Sequence, residues 1–306
     1  MPADRRPGYD QPYLPRTFLP DRPPGRFEEP LAGVGVAVVP ILLLEVYEDP
    51  IPDWPQYRSV AGGLERSYPN ISRVSTREYG HRIGIFRLVE ELTSRGLQPT
   101  VAIDALSAER YPSLVEWLSD QDVEWIAHGI SVTRPISDHL SEEEEHDYIA
   151  DALARLHDAG IASQGWMSPE YGESSRTPKI LAENGVRSVF DWCADERPLL
   201  VGGTEQPLVA FPMSADLDDQ TALANRMLDP DAYGTHLVDA VERLALDGQR
   251  DARVLGIAFR PWLTGQPFRT QQFIRLLDAV ERTPGATITT PSIALEAFVV
   301  ETSPNL

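Results

Sequence analysis

The sequence predicts an α/β protein in which parallel strands and helices alternate and close into a (β/α) barrel. Three observations carry that expectation. Short apolar runs alternate with segments of helical periodicity at least six times, the pattern of parallel strands joined by right-handed crossovers. Cap and turn residues punctuate the alternation. Polar and aromatic residues (Glu45, Asp104, His128, Trp166, Asp191 and Arg260) recur where strands end, and in such folds the carboxyl ends of the strands hold the functional face.

Taken in order, Val34 to Leu44 is a nearly unbroken apolar run, interrupted by Pro40 and ending at Glu45; it is too short to span a bilayer. Ile83, Phe86, Val89 and Leu92 recur at helical spacing before Gly96. Thr100 to Ile103 is a strand ending at Asp104. Pro112 opens a helix through Leu118, and Val123 to Ala127 is a strand ending at His128-Gly129. Ser141 and Glu144 form a capping box for a helix along Ile149, Leu153 and Leu156 to Gly160. Gly165-Trp166 ends another strand. Thr177-Pro178 reads as a hydroxyl cap followed by proline at the first helical position, and Gly185 stops that helix. Arg187 to Phe190, Leu208 to Phe211 and Arg253 to Phe259 are later strands, and Thr270 to Glu281 is the next helix.

The first thirty residues hold eight prolines and almost no apolar period, so residues 1–30 are expected to form an extended arm, lying on the body or on a neighbouring subunit. Residues 31–306 then form a single barrel domain, a size that α/β barrels routinely reach. Arg5-Arg6 has no hydrophobic stretch after it, so an export signal is not expected, and a cytoplasmic location is the default. A formal charge of −20 argues against nucleic acid and anionic membrane as partners. The single cysteine, Cys193, allows neither an internal disulfide nor a cysteine-rich zinc site. Glu142 to Glu145 read as a solvated acidic helix start.

The candidate site residues follow from position and chemistry. His128, before Gly129, is the candidate base that activates water, with Glu45 or Asp191 setting its tautomer. Glu45 closes a buried strand, so its acid must be paired or shifted in pKa; Arg77 and Arg82 are candidate partners. Arg77 and Tyr79, before the first long helix, are candidate substrate contacts, with a network tying that helix to the barrel rim as the equal alternative. Trp166, Trp192 and Trp262 are candidate stacking walls, with core packing as the alternative. Glu48 and Asp49 read as loop charges and Asp195 as a turn cap. His81, His139, His146, His157 and His236 read as surface residues. Asp216, Asp218 and Asp219 suggest either a polar loop or a site rim.

Several motifs taken together resemble the polysaccharide deacetylase superfamily, in particular its allantoinase-like, cofactor-free C–N hydrolase branch. They are Ser75-Thr76-Arg77-Glu78-Tyr79-Gly80 with Arg82 and Gly84, Pro99 to Ile103, and Ala127-His128-Gly129-Ile130 with Thr133-Arg134. Gly165-Trp166-Met167-Ser168-Pro169, Asp191-Trp192 with Asp195, and Pro261 to Arg269 complete the set. The resemblance runs from about Val34 to Phe298. It implies a distorted (β/α) barrel of the polysaccharide deacetylase type, hydrolysis of an amide-type bond in a small-molecule substrate, and an oligomer of like chains or with a paralogous subunit.

Three departures qualify the chemistry that the resemblance implies. Metal-dependent relatives carry a second histidine four residues after the first; here that position is Val132, and one imidazole with one carboxylate is too few for zinc. No metal or other cofactor is therefore expected. Relatives place a His-Pro late in the chain, whereas Arg260-Pro261 stands here. An arginine cannot give up its proton near neutral pH, but it can hold a substrate carboxylate or an oxyanion. Glu170 follows Ser168-Pro169, where sugar-cleaving relatives place an arginine. Three functional classes remain: a metal-independent hydrolase of an amide, ureide or N-acyl bond, a ligand- or partner-binding member without turnover, and, more weakly, a lyase or isomerase using His128 as base.

Overall fold

The computed structural model describes residues 23–49 and 69–300. Strands β1 (Gly25–Phe27) and β2 (Val36–Leu44) come first. Helix α1 (Ile71–Tyr79) then runs through a π-helical turn, Gly80–Gly84, into α2 (Ile85–Thr93). β3 (Thr100–Ile103), α3 (Ala105–Arg110), α4 (Pro112–Asp120), β4 (Glu124–Ala127) and α5 (Glu142–Asp158) follow. The middle of the chain holds β5 (Gly165–Trp166), α6 (Thr177–Glu183), β6 (Ser188–Val189), β7 (Leu199–Leu200) and β8 (Val209–Ala210). The last part holds α7 (Pro230–Gly248), β9 (Arg253–Phe259), α8 (Thr270–Arg282), β10 (Ala286–Ile288), α9 (Pro291–Ala297) and β11 (Phe298–Val300).

β2 organises the sheet. It pairs in parallel with β9 along Val36–Leu42, and its other edge pairs first with β10 at Val36–Val38 and then with β3 at Ile41–Leu44. On that second edge Val36 donates to the Gly285 carbonyl, Val38 accepts from Thr289 and Leu44 accepts from Asp104. Even-numbered residues therefore aim their backbone groups at it. Pro40 shares this phase and lies where the edge passes from β10 to β3, so the N–H that proline lacks has no ladder partner to miss.

From β3 the sheet continues in parallel through β4, β5, β6 and β8, with β7 antiparallel on β8. The chain after β8 then reaches β9. Met213 bridges Gly256 in parallel, Gly256 donates to the Pro212 carbonyl at 2.9 Å, and Ser214 donates to the Gly256 carbonyl at 3.0 Å. This narrow seam joins the ends of the curled sheet into a distorted (β/α) barrel. A Cβ on Gly256 would lie 2.5 Å from Met213 Sδ and 2.6 Å from the Pro212 oxygen, so the seam closes on glycine alone.

The strands alternate between two cores. Val36, Val38, Leu42, Leu44, Ile257 and Phe259 pack outward against the helices. Ala37, Val39, Ile41, Leu43, Ile126, Met167, Phe190, Phe211 and Ala258 fill the barrel interior. A period of two thus fixes which residue at each strand end faces the interior.

Local details differ from the sequence expectations. Thr177 does not cap its helix; its hydroxyl accepts from Ser174 and donates to Glu145. Glu145 is not solvated: it is fully buried and bound by Ser174, Thr177 and Arg176. His81 is buried rather than at the surface, hydrogen-bonded to Ser107 at 2.9 Å and stacked on Tyr111, because the π-helical turn rotates it inward. Within the proline-rich segment, Gly25–Phe27 pairs with Val300–Phe298; residues 1–22 lie outside the described residues. Among the described residues no helix is long and apolar enough to cross a membrane.

Candidate active site

Glu45 continues the inward phase of β2, His128 that of β4 and Arg260 that of β9, so three strands deliver three charged side chains to one point above the barrel interior. They are 2%, 1% and 2% exposed, which means that their charges must be answered inside the protein. Glu45 does this with both oxygens: Oε1 lies 3.4 Å from His128 Nε2 and Oε2 accepts from Arg260 Nε at 3.2 Å. Gly129, at φ 67°, turns the chain sharply after His128; a side chain there would also strike the Tyr148 hydroxyl and Pro169.

The protonation pattern follows from the partners. His128 Nδ1 lies 2.7 Å from the Met167 carbonyl, which only accepts, so Nδ1 carries a proton. Burial opposes charge on Glu45, yet Arg260 and His128 outweigh it and hold the carboxyl down to about 2. An ionised carboxylate facing Nε2 calls for a second ring proton. Burial works against the imidazolium, but the Glu45 bond and charge prevail and raise the His128 pKa. The ring is thereby biased toward its protonated form. Its orientation is set by Met167 and Glu45; Asp191, the other candidate, makes no hydrogen bond to it among the described residues.

Arg260 is likewise not a free fork. Nη1 donates to Asp218 at 2.8 Å and approaches Asp219 at 3.4 Å, while its backbone N–H donates to Asp219 at 2.8 Å. Its Nη2 alone makes no hydrogen bond among the described residues. Asp218 and Asp219, which the sequence left undecided between loop and rim, are 1% and 0% exposed and form the floor under Arg260. Burial lifts the Asp219 carboxyl to about 7 despite Arg260. Asp218 also accepts from the Tyr171 hydroxyl at 2.7 Å.

The remaining candidates divide. Arg77 comes to the site: its guanidinium lies 4.0 Å from the Tyr47 ring centroid and 3.4 Å from that of Trp262. The π-helical turn after α1 sets this stack, because Gly84 and Gly265 let it press directly on the Pro261 backbone. Tyr79 is not part of it; its hydroxyl is tied to Arg87, which also donates to the Gly265 carbonyl. Trp166 is corrected from wall to core: it lies on the outward phase beside inward Met167, is fully buried, and donates to Ser168 Oγ at 2.8 Å. Asp191 and Trp192 form a separate polar cluster. Asp191 accepts from the Ser168 N–H at 2.7 Å, and Trp192 donates to Glu173 at 3.0 Å. Burial raises the Asp191 carboxyl to about 6 and pushes Glu173 well up.

Three residues beside the array were not read as part of it from the sequence. Tyr47, two positions after Glu45, supplies one wall of the Arg77 stack. Glu48 accepts from Arg134 through both oxygens at 2.8 and 2.7 Å and from Ser131 and Thr133 at 2.7 Å, pinning the loop after His128; that network holds its carboxyl near 2. Glu170 is held at φ 55°, a strained conformation for a side chain that large, and Tyr171 after it has the same φ. Burial raises the Glu170 carboxyl beside Arg260 and Glu45. An acid four residues after an apolar strand, as Glu48 is after Leu44, is a visible signal; the strain at Glu170 is not.

The residues present do not fit a metal. Val132 is aliphatic and buried, His128 Nδ1 is spent on a carbonyl, and Arg260 already stands as a cation against Glu45. Among the described residues no group of three or more histidine, cysteine or acidic side chains is placed to ligate one.

Neither family models nor curated proteins match the chain. Solved structures do. It superposes on the Puue allantoinase with a TM-score of 0.76 at 20% identity, covering 86% of this chain and 90% of that one. A probable polysaccharide deacetylase from Pseudomonas aeruginosa PAO1 gives 0.75 at 21% identity, covering 86% and 91%. A polysaccharide deacetylase-type protein from Mycobacterium smegmatis gives 0.74 at 20% identity, covering 93% and 100%. The likeness extends over most of each chain and is one of fold: the chain has the fold of the polysaccharide deacetylase-like superfamily.

Proposed function

We propose that this chain hydrolyses a non-peptide C–N bond (amide, ureide or N-acyl) of a small molecule, using its own arginine where a metal would supply positive charge. The carrying observation is the buried array in which Glu45 is shared between His128 and Arg260 at 3.4 and 3.2 Å. The fold neighbours, an allantoinase and deacetylases by name, support the reaction class.

In this reading Glu170, kept basic by burial, takes the proton of the attacking water as the new C–O bond forms. The Nη2 of Arg260, unbonded among the described residues, meets the oxygen of the scissile carbonyl as it becomes an oxyanion. His128 then gives its Nε2 proton to the departing nitrogen as the C–N bond breaks. The proton on Glu170 returns to His128 through solvent and restores the site.

Turnover of a panel of small amides, ureides and N-acylated amines by the purified protein tests this. Activity is expected to persist in excess chelator and to fall about 10²-fold or more in Glu170→Gln and His128→Asn, the usual range for loss of a general acid or base. Ligand binding without turnover across the panel would favour the non-catalytic reading, which draws on Val132 and Arg260 at two positions where histidine stands in relatives.

A further inference from the structure

Among the described residues Arg77 is a cation without an ion-pair partner. The guanidinium groups that flank the array are answered: Arg260 by Glu45, Asp218 and Asp219, and Arg134 by Glu48. The side chain of Arg77 makes no hydrogen bond or ion pair among the described residues, and its Nη1 is buried. Trp262, stacked on it at 3.4 Å, has a second buried donor, Nε1, that also lacks an acceptor. Two neighbouring donors, one of them charged, thus stand dry and unmatched between Tyr47 and the loop after β9. Such groups are rarely left so, because water has been removed from them and nothing replaces it.

The stack is rigid. Tyr47 and Trp262 both pack on the guanidinium, at 4.0 and 3.4 Å from their ring centroids, and the ring faces offer charge attraction but no hydrogen-bond acceptor. The position is also close to the array, since the charge of Arg77 reaches both Glu45 and Tyr47. A neutral carbonyl could accept the hydrogen bonds but would leave the charge unanswered. A carboxylate answers both.

We infer that Arg77 Nη1 and Trp262 Nε1 form a recognition subsite for a carboxylate, so that the substrate class is an N-acyl or N-carbamoyl amino acid with its scissile bond beside the carboxylate. This deepens the hydrolase reading of the same site and rests on it. One carboxylate oxygen takes Arg77 and the other takes Trp262, while the acyl or carbamoyl group extends over the Glu45–His128–Arg260 array.

The test is calorimetric binding of paired probes to the full chain: N-carbamoylglycine against N-carbamoylglycinamide, and N-acetylglycine against N-acetylglycinamide. Each acid is expected to bind at least tenfold tighter than its amide. Arg77→Gln should bring that ratio close to one, Trp262→Phe should lower it severalfold, and Arg77→Lys should keep part of it should the glutamine variant fail to fold. Equal binding within each pair, a preference for the amides, a preference that survives Arg77→Gln, or no binding of any probe would each overturn the inference. Binding is scored apart from cleavage. Acids that bind by this pattern without being cleaved would count against the hydrolase reading and leave the subsite standing, whereas cleavage with no acid preference would do the reverse.

Discussion

Replacing Arg260 by methionine keeps most of the side chain's volume and removes its charge from the midst of Glu45, Asp218 and Asp219, which are 2%, 1% and 0% exposed. The ion pairs at 3.2, 2.8 and 3.4 Å disappear together, and the acids beneath are left in a medium that solvates them poorly. Stranding a buried charge in this way costs about 3–5 kcal/mol. For a domain of this size that corresponds to a fall in Tm on the order of 10 °C. The cost must also depend on pH. At pH 8 the Asp219 carboxyl, lifted to about 7, is mostly ionised and needs its cation; at pH 5.5 it is protonated and does not. Glu45, no longer held down by Arg260, moves toward protonation as well. Denaturant unfolding at both pH values reads this directly: the loss in Arg260→Met should be clearly larger at pH 8. A loss below about 1 kcal/mol at pH 8, or the same loss at both, would refute the idea that Arg260 is the keystone of a buried charge array.

Three further outcomes are expected. The wild-type protein should be more stable at pH 5.5 than at pH 8: Asp104, Asp191 and Asp219 have folded values of about 7, 6 and 7 against 3.8, and His128 is raised above 6.5, so each contributes stability that is lost as pH rises through its folded value. Glu45 and Glu48, lowered to about 2, act only below about pH 4.5, outside that window, and a calorimetric Tm that climbed from pH 5.5 to 8 would contradict the assignment. Gly256→Ala should cost about 1–3 kcal/mol in denaturant unfolding, because its Cβ meets the Pro212 carbonyl at 2.6 Å across the seam; a neutral result would mean the seam can widen freely. Glu48→Ala should cost about 2 kcal/mol and expose the His128–Arg134 loop to limited proteolysis, whereas unchanged protection would show that the loop holds without its carboxylate clamp.

Much of this site was legible because strand phase is local. Once Val36 to Leu44 is recognised as a strand buried on both faces, the register that faces Val39, Ile41 and Leu43 inward carries Glu45 with them, and the same step delivers His128 after Ile126 and Arg260 after Ala258. Applied to β5, that step also separates inward Met167 from outward Trp166, a distinction that residue type alone obscured. Asp218 and Asp219 resisted because a run of acids in a loop looks the same whether it meets water or a guanidinium 42 and 41 residues later. Glu48 resisted for a similar reason, since its partner Arg134 lies 86 residues away. His81 was misplaced because an α-helical period was carried through a stretch that is π-helical, and one extra residue in a turn changes the face of everything around it.

Pro40 has a consequence for how the chain is made. β2, with the sequence Val-Ala-Val-Val-Pro-Ile-Leu-Leu-Leu, is the most apolar stretch of the molecule, and its partner β9 is synthesised far later, as the 215-residue separation of Glu45 and Arg260 indicates. At ~5–20 residues per second, one edge of this strand waits roughly 10–40 s for its neighbour. An unpaired apolar strand of that length is the kind of segment that stacks with copies of itself on crowded ribosomes. A proline at its centre interrupts such stacking. In the finished barrel the same residue falls where the edge passes from β10 to β3, so the protection during synthesis persists without a broken hydrogen bond in the folded protein.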